Sequence, residues 1–229
     1  MPVLDLMTSA GVGSLLGVRH ALEPDHVAAV STLVSRERSG LRAALLGLAW
    51  GLGHTVGLVV VGLVLVVLRM DLPGRVADVF ELAVAAMLIA LGARAIRDAI
   101  RVGRAVQHPP HRWFSLHTHS GLPAHLHIGT WTLARRPLLI GALHGLAGSG
   151  ALTALVMATL PTTAARLAYM TLFGLGSSLG MALLSGVLGW PLARLSEDVR
   201  TTRALAGLAG SVSLGLGVAW GYPLVVKLL

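Results

Sequence analysis

The chain has 229 residues, 55% of them hydrophobic and only 12% charged, with a mean hydropathy of +0.77; soluble domains carry about 25% charged residues, so an ordinary soluble domain is excluded. Eighteen Lys and Arg against ten Asp and Glu give a formal charge of +8, which in so apolar a chain reads as helix ends at a membrane surface, with no nucleic acid as partner. The absence of cysteine excludes disulfides, thiolate metal sites and thiol nucleophiles.

Apolar windows predict an all-α membrane protein with six transmembrane helices, at Thr8–Val34, Leu41–Leu68, Val79–Arg101, Leu138–Leu160, Leu167–Ala193 and Ala204–Leu228. The segment Met1–Met7 has Asp5 and no Lys or Arg, and the apolar stretch after it runs into charged residues, so a cleaved signal peptide is not expected. Polar residues around Pro24 interrupt the first span, and a re-entrant segment competes with a full crossing there. One set of connections carries Arg36, Arg38, Arg42, Arg97, Arg101, Arg104, Arg112, Arg135, Arg136, Arg194, Arg200 and Arg203; the other carries Arg69, Arg75, Arg166 and Lys227. The Arg-rich side is expected to be cytoplasmic, giving a multi-pass protein of the cytoplasmic membrane with both termini outside.

The halves resemble each other. Gly17-Val-Arg-His-Ala-Leu matches Gly141-Ala-Leu-His-Gly-Leu, aligning His20 with His144, and Gly51-Leu-Gly-His-Thr matches Gly174-Leu-Gly-Ser-Ser, aligning His54 with Ser177. The offsets are 124 and 123 residues. A three-span copy is odd-numbered, so its repeat enters from the opposite side: two inverted three-helix repeats, residues 1–103 and 138–229, separated by a His-rich cytoplasmic loop, 104–137.

The first span contains Arg19-His20-Ala21-Leu22-Glu23-Pro24-Asp25-His26. Each ionisable group at membrane depth costs about 2.5 to 3.5 kcal/mol on insertion scales, so a cluster needs partners. On an unbroken helix His20 and Asp25 stand about 140° apart; a break at Pro24 lets the side chains on either side of it converge. Two imidazoles and a carboxylate make a borderline-hard donor set for Ni(II), Co(II) or Zn(II). A kinked helix whose polar residues satisfy one another, with Arg19 against Glu23, is the bland alternative. His54 sits among Gly47, Gly51, Gly53 and Gly57, a small-residue spacing that lets helix backbones approach. His144 is followed by Gly145-Leu-Ala-Gly-Ser149-Gly150, a neutral wall where the first half carries charge.

Six further histidines lie between spans three and four: His108, His111, His117, His119, His125 and His127. A β-hairpin about Leu122 is expected to set His119 opposite His125, His117 opposite His127, and Trp113 opposite Trp131, making a four-histidine metal-binding face. A flexible chelating tail is the competing reading.

His20 through His26 follow an H-x-x-x-x-D-H pattern that resembles the signature of the nickel/cobalt transporter family, and Leu52-Gly53-His54-Thr55 resembles that family's second, Leu-Gly-His-Ser/Thr, segment. The resemblance implies metal selection and transport through His20, Asp25, His26 and His54. Six spans look like the shorter branch associated with urease maturation, whereas six spans with a cytoplasmic His-rich loop are also similar to nickel/cobalt efflux proteins.

The resulting expectation is a secondary transporter for Ni(II) or Co(II), with import favoured over efflux, no catalytic cofactor, and metal ligands His20, Asp25, His26, His54 and His144 in the membrane with His117, His119, His125 and His127 in the loop. A cytoplasmic metallochaperone or a second copy of the chain would be its protein partner. Two other classes compete. An intramembrane serine hydrolase built on Gly148-Ser149-Gly150 lacks a His in the last span, and a passive metal sensor leaves the intramembrane cluster without a role.

Overall fold

The computed structural model describes residues 2–35, 37, 39–68, 73–101, 115–117, 125–128, 131–147, 162–195 and 199–229. Among them are seven helices: α1 (Pro2–His20), α2 (Pro24–Val34), α3 (Gly40–Leu68), α4 (Gly74–Arg101), α5 (Arg135–Ala147), α6 (Thr163–Leu195) and α7 (Val199–Leu228). Four of these, α3, α4, α6 and α7, contain stretches long and apolar enough to cross a membrane. Their bounds extend the expected spans by up to five residues, because polar end-turns remain helical beyond the apolar window.

The expected first span is two helices. α1 ends at His20, and α2 starts at Pro24 with Glu23 in an extended conformation (φ −65°, ψ 149°) as its N-cap. Proline is suited to that first helical position, where its missing N–H costs nothing. Pro24 therefore begins a new helix rather than kinking a continuous one, and residues 21–23 turn the chain between the two axes. The expected span Leu138–Leu160 is described only as far as Ala147 within α5; Ser149 and Gly150 lie outside the described residues.

Beside an apolar core that includes Leu88, Phe173 and Met181, the molecule buries a set of polar groups and exposes many apolar ones. His20, Asp25, His26, His54, His144, Ser177, Ser178, Ser185 and Ser213 are buried, while Leu52, Val56, Val60, Leu175, Leu179, Leu183 and Val187 are exposed. In water that distribution would be unstable; in hydrocarbon it is the expected one, since lipid solvates the leucines and the protein must satisfy the polar groups.

The bundle is organised by pairs of helices. α3 packs on α6, α4 on α7, α1 on α6 and α5 on α3. Small residues make these approaches close: a Cβ on Gly53 would meet the carbonyl of Leu138, and one on Gly176 the carbonyl of Ser14. Likewise Gly141 faces the Trp50 carbonyl and Gly17 the Phe173 carbonyl. Each pair repeats the other at the 123- and 124-residue offsets of the two halves. Between α3 and α6 the Thr55 and Ser178 hydroxyls, themselves 123 residues apart, lie 2.9 Å from each other, and each donates to the Gly174 carbonyl at 2.8 Å.

Three strands are described in the His-rich segment: β1 (Ser115–His117), β2 (His125–Ile128) and β3 (Trp131–Ala134), paired antiparallel in the order β1-β2-β3. The β1–β2 register sets His117 opposite His125 and Ser115 opposite His127, two residues away from the expected pairing. Trp131 is opposite Ile128 in β3 rather than opposite Trp113. His119, His108, His111 and Trp113 lie outside the described residues.

Candidate metal centre

His20 closes α1, Asp25 and His26 open α2, His54 sits midway along the 29-residue α3, and His144 lies on α5. The break at 21–23 aims both sides of the first motif at the same place. All five side chains converge. Ring centroids are 4.4 Å apart for His20–His26, 5.2 Å for His20–His54, 4.1 Å for His26–His144 and 5.8 Å for His54–His144. Asp25 and the four histidines are each 4% exposed or less.

The hydrogen bonds determine which nitrogens are left over. The Asp25 carboxylate accepts from His26 Nδ1 through Oδ1 at 3.0 Å and from His144 Nε2 through Oδ2 at 2.8 Å. An ionised carboxylate is an acceptor only, so both ring nitrogens must carry protons there, and each neutral ring keeps its lone pair on the other nitrogen. Those nitrogens, His26 Nε2 and His144 Nδ1, have no hydrogen-bond partner among the described residues. His20 donates from Nδ1 to Glu23 Oε2 at 3.0 Å, leaving Nε2 without one as well. Both His54 nitrogens are unpartnered. Four buried imidazoles in mutual contact thus each keep a nitrogen without a partner among the described residues, a costly arrangement unless a cation collects them.

Nitrogen or oxygen atoms of His20, His26 and His54 lie within 4.8 Å of one another, as do those of Asp25, His26 and His144. Metal–nitrogen bonds of about 2.1 Å place opposed ligands about 4.2 Å apart, so these groups are spaced on the scale of a cation's donor shell. The donor set fits a borderline divalent ion.

The family model described as high-affinity nickel-transport protein matches residues 6–217. The chain belongs to this family. It is therefore a member of a nickel-transporter family and a membrane protein, not an enzyme. It is 32% identical over 226 residues to the urease accessory protein UreH of Bacillus sp. (strain TB-90), covering 99% of this chain and 96% of that one. It is 30% identical over 225 residues to the Arabidopsis thaliana chloroplast protein FOR GROWTH AND FERTILITY 1, and 26% identical over 218 residues to FOR GROWTH AND FERTILITY 2. These alignments cover 93% and 94% of this chain but only 58% and 56% of the plant proteins. No solved structure is significantly similar to the chain.

Within this nickel-transport family member, the five intramembrane candidates come together in one cluster. The pairing of Arg19 with Glu23 weighed from sequence is replaced by His20 with Glu23, because three residues bring side chains together across the turn that ends α1. Of the four loop histidines, His117, His125 and His127 occupy strand positions and His119 lies outside the described residues.

Two aromatic residues carry no signal in the sequence. Trp50 packs at 5.5 Å from both His26 and His144, and Phe173 at 5.3 Å from His20. They are 123 residues apart, the same offset that separates His54 from Ser177. Both rings are themselves buried and pack directly on the imidazoles. Ser177, the counterpart of His54, is fully buried, and its hydroxyl has no partner among the described residues.

Proposed function

We propose that this protein is a secondary permease that imports Ni(II) or Co(II) across the cytoplasmic membrane, with the ion held by His20, Asp25, His26, His54 and His144. The observation that carries the reading is the set of four buried imidazoles with free lone pairs around one carboxylate. Neutral imidazoles replace part of the hydration shell, and Asp25 offsets the charge of a divalent ion away from water. Asp25 also fixes the two rings it touches, so His26 Nε2 and His144 Nδ1 wait in the ligating tautomer. Zn(II) would be accepted by the same donors, and selection among neighbouring metals then rests on coordination geometry.

Alternating access follows from a two-repeat architecture of six spans, in which α1 with α2, α3 and α4 correspond to the segment beginning at α5, α6 and α7. Support comes from the swapped contacts Gly53–Leu138 with Gly176–Ser14, and Gly141–Trp50 with Gly17–Phe173. Such paired interfaces let one repeat rock against the other about a central site. The position of His54 at the midpoint of α3 supports a site near the membrane midplane. A cytoplasmic metallochaperone would receive the ion on the Arg-rich side, where the three-stranded segment would offer it a first resting place.

Cell-associated nickel and cobalt, measured by mass spectrometry at low external metal, test the direction. Cells expressing the protein should hold more metal than empty cells. A fall instead would make the protein an exporter and the His-rich segment its collector, and no change for any metal would reject transport. The strand register makes a further prediction: if the sheet binds metal, His117→Ala and His125→Ala should each lower the number of weakly bound nickel ions on the full protein. His119→Ala should do so less, and equal losses for all three would favour a chelating tail without fixed geometry.

A further inference from the structure

A cavity of about 90 Å³ flanks the candidate metal centre, lined by Glu23, Asp25 and Glu81 and by the apolar faces of Val84, Ala85, Leu88 and Trp220. Three of these are carboxylates, contributed by the α1–α2 break, the start of α2 and the first half of α4. The two inner ones are already engaged with the cluster: Glu23 accepts from His20, and Asp25 holds His26 and His144. His20 itself is 3% exposed, and its second nitrogen is unpartnered. The cavity wall and the imidazole cluster therefore share Glu23 and Asp25.

Glu81 is the third. It stands seven residues into α4, about 10 Å along the axis. At a similar depth on α7, Trp220 and Tyr222 are 41% and 72% exposed, and aromatic residues of this kind collect at the headgroup level. One turn nearer the helix ends, Lys227 donates to Asp78 at 2.7 Å and ties α7 to α4. That pair neutralises Asp78 and leaves Glu81 with no ion pair or hydrogen bond among the described residues. An unpaired carboxylate at the membrane boundary, lining one cavity with Glu23 and Asp25 of the cluster, has the layout of a cation-focusing mouth. At about 30 Å³ per water the cavity has room for roughly three waters, so an ion there must have exchanged part of its shell for carboxylate oxygens.

We infer that this cavity is the vestibule through which a partly hydrated divalent cation reaches the cluster from the outer surface, with Glu81 as its staging carboxylate. The inference rests on the permease reading. Glu81 raises the local cation concentration and strips the first waters, Glu23 and Asp25 take the ion next, and the imidazoles complete the exchange. Glu81 acts on arrival and takes no part in the final ligand set.

The absence of cysteine from the chain supplies a direct test. Glu81→Cys in intact cells should react with a cationic, membrane-impermeant thiosulfonate added outside, and added Ni(II) should slow the reaction. In transport assays Glu81→Gln should raise the external nickel giving half-maximal uptake by about tenfold, the low end of electrostatic focusing, while Glu81→Asp restores it. Tight equilibrium binding of nickel to purified Glu81→Gln should equal that of the natural protein, whereas Asp25→Ala loses it. Labelling only from the cytoplasmic side, an unchanged half-saturation, or a loss of tight binding in Glu81→Gln would each overturn the inference. If the natural protein neither binds nor moves nickel, the permease reading fails instead, a result visible without any variant.

Discussion

If the protein imports nickel through this cluster, replacing Asp25 by alanine should reduce cell-associated nickel to the level of cells without the protein. The side chain has three tasks in one place. It is the one carboxylate in the two groups of metal-competent side chains, which share His26; it orients His26 at 3.0 Å, and it orients His144 at 2.8 Å. Removing a group that orients metal ligands typically costs about 10- to 100-fold in metal affinity. Here two ligands are released at once, and a divalent ion would be left among neutral rings in a site shielded from water. The substitution Asp25→Asn separates the contributions. An amide keeps the size and one acceptor oxygen, so it can receive one imidazole N–H but must turn its own N–H₂ toward the other. Asp25→Asn should therefore retain folded protein and lose most accumulation. Uptake by Asp25→Asn at the natural level would show that the carboxylate charge is dispensable.

Much of this centre was legible because membranes make polarity conspicuous. His20, Glu23, Asp25 and His26 are costly inside an apolar stretch, so the sequence singles them out, and Pro24 signals that the helix cannot run through them. The matched segments around His20 and His144 indicate that the two histidines belong to one place even though 124 residues separate them. Other parts carry no such signal. Trp50 and Phe173 read as lipid-facing bulk in any apolar helix, and only the contacts at 5.3 to 5.5 Å give them a role. Glu81, seven residues from the start of α4, looks like an end-of-helix charge until the cavity connects it to Asp25.

The strand register shows a different limit. Alternation fixes which residues share a face, and a shift of two residues leaves every face unchanged. His117, His125 and His127 therefore satisfy the pattern in either register, and the choice of His117 opposite His125 comes from backbone pairing that the pattern does not encode. The same holds for the first span. Its interruption could be read from the polar residues, but whether Pro24 bends one helix or begins another depends on the extended conformation of Glu23.

Gly145→Ala should disable the centre without removing a single polar atom. Gly145 follows His144 on α5, and a Cβ there would meet the His54 backbone of α3: its carbonyl oxygen, its carbonyl carbon at 2.8 Å and its Cα at 2.9 Å. None of these atoms is the end of a flexible side chain, so the two helices must separate. Gly53, Gly57 and Gly141 make the same interface unforgiving on either side, each facing a backbone carbonyl of the partner helix. Overpacking of this kind costs about 1 to 3 kcal/mol, and the displacement opens the His54–His144 edge of the cluster, now 5.8 Å between ring centroids. The 2.8 Å bond that holds His144 to Asp25 is stretched with it. Gly207 and Gly215 on α7 have nothing within 4 Å of an added Cβ, and alanine there gains up to about 1 kcal/mol of helix propensity. The expected result is a lower unfolding temperature in detergent and loss of tight nickel binding for Gly145→Ala, with both properties retained in Gly207→Ala and Gly215→Ala. If Gly145→Ala unfolds early yet binds nickel as tightly as the natural protein, close approach of α3 and α5 serves stability alone, and His144 is not a ligand held by that contact.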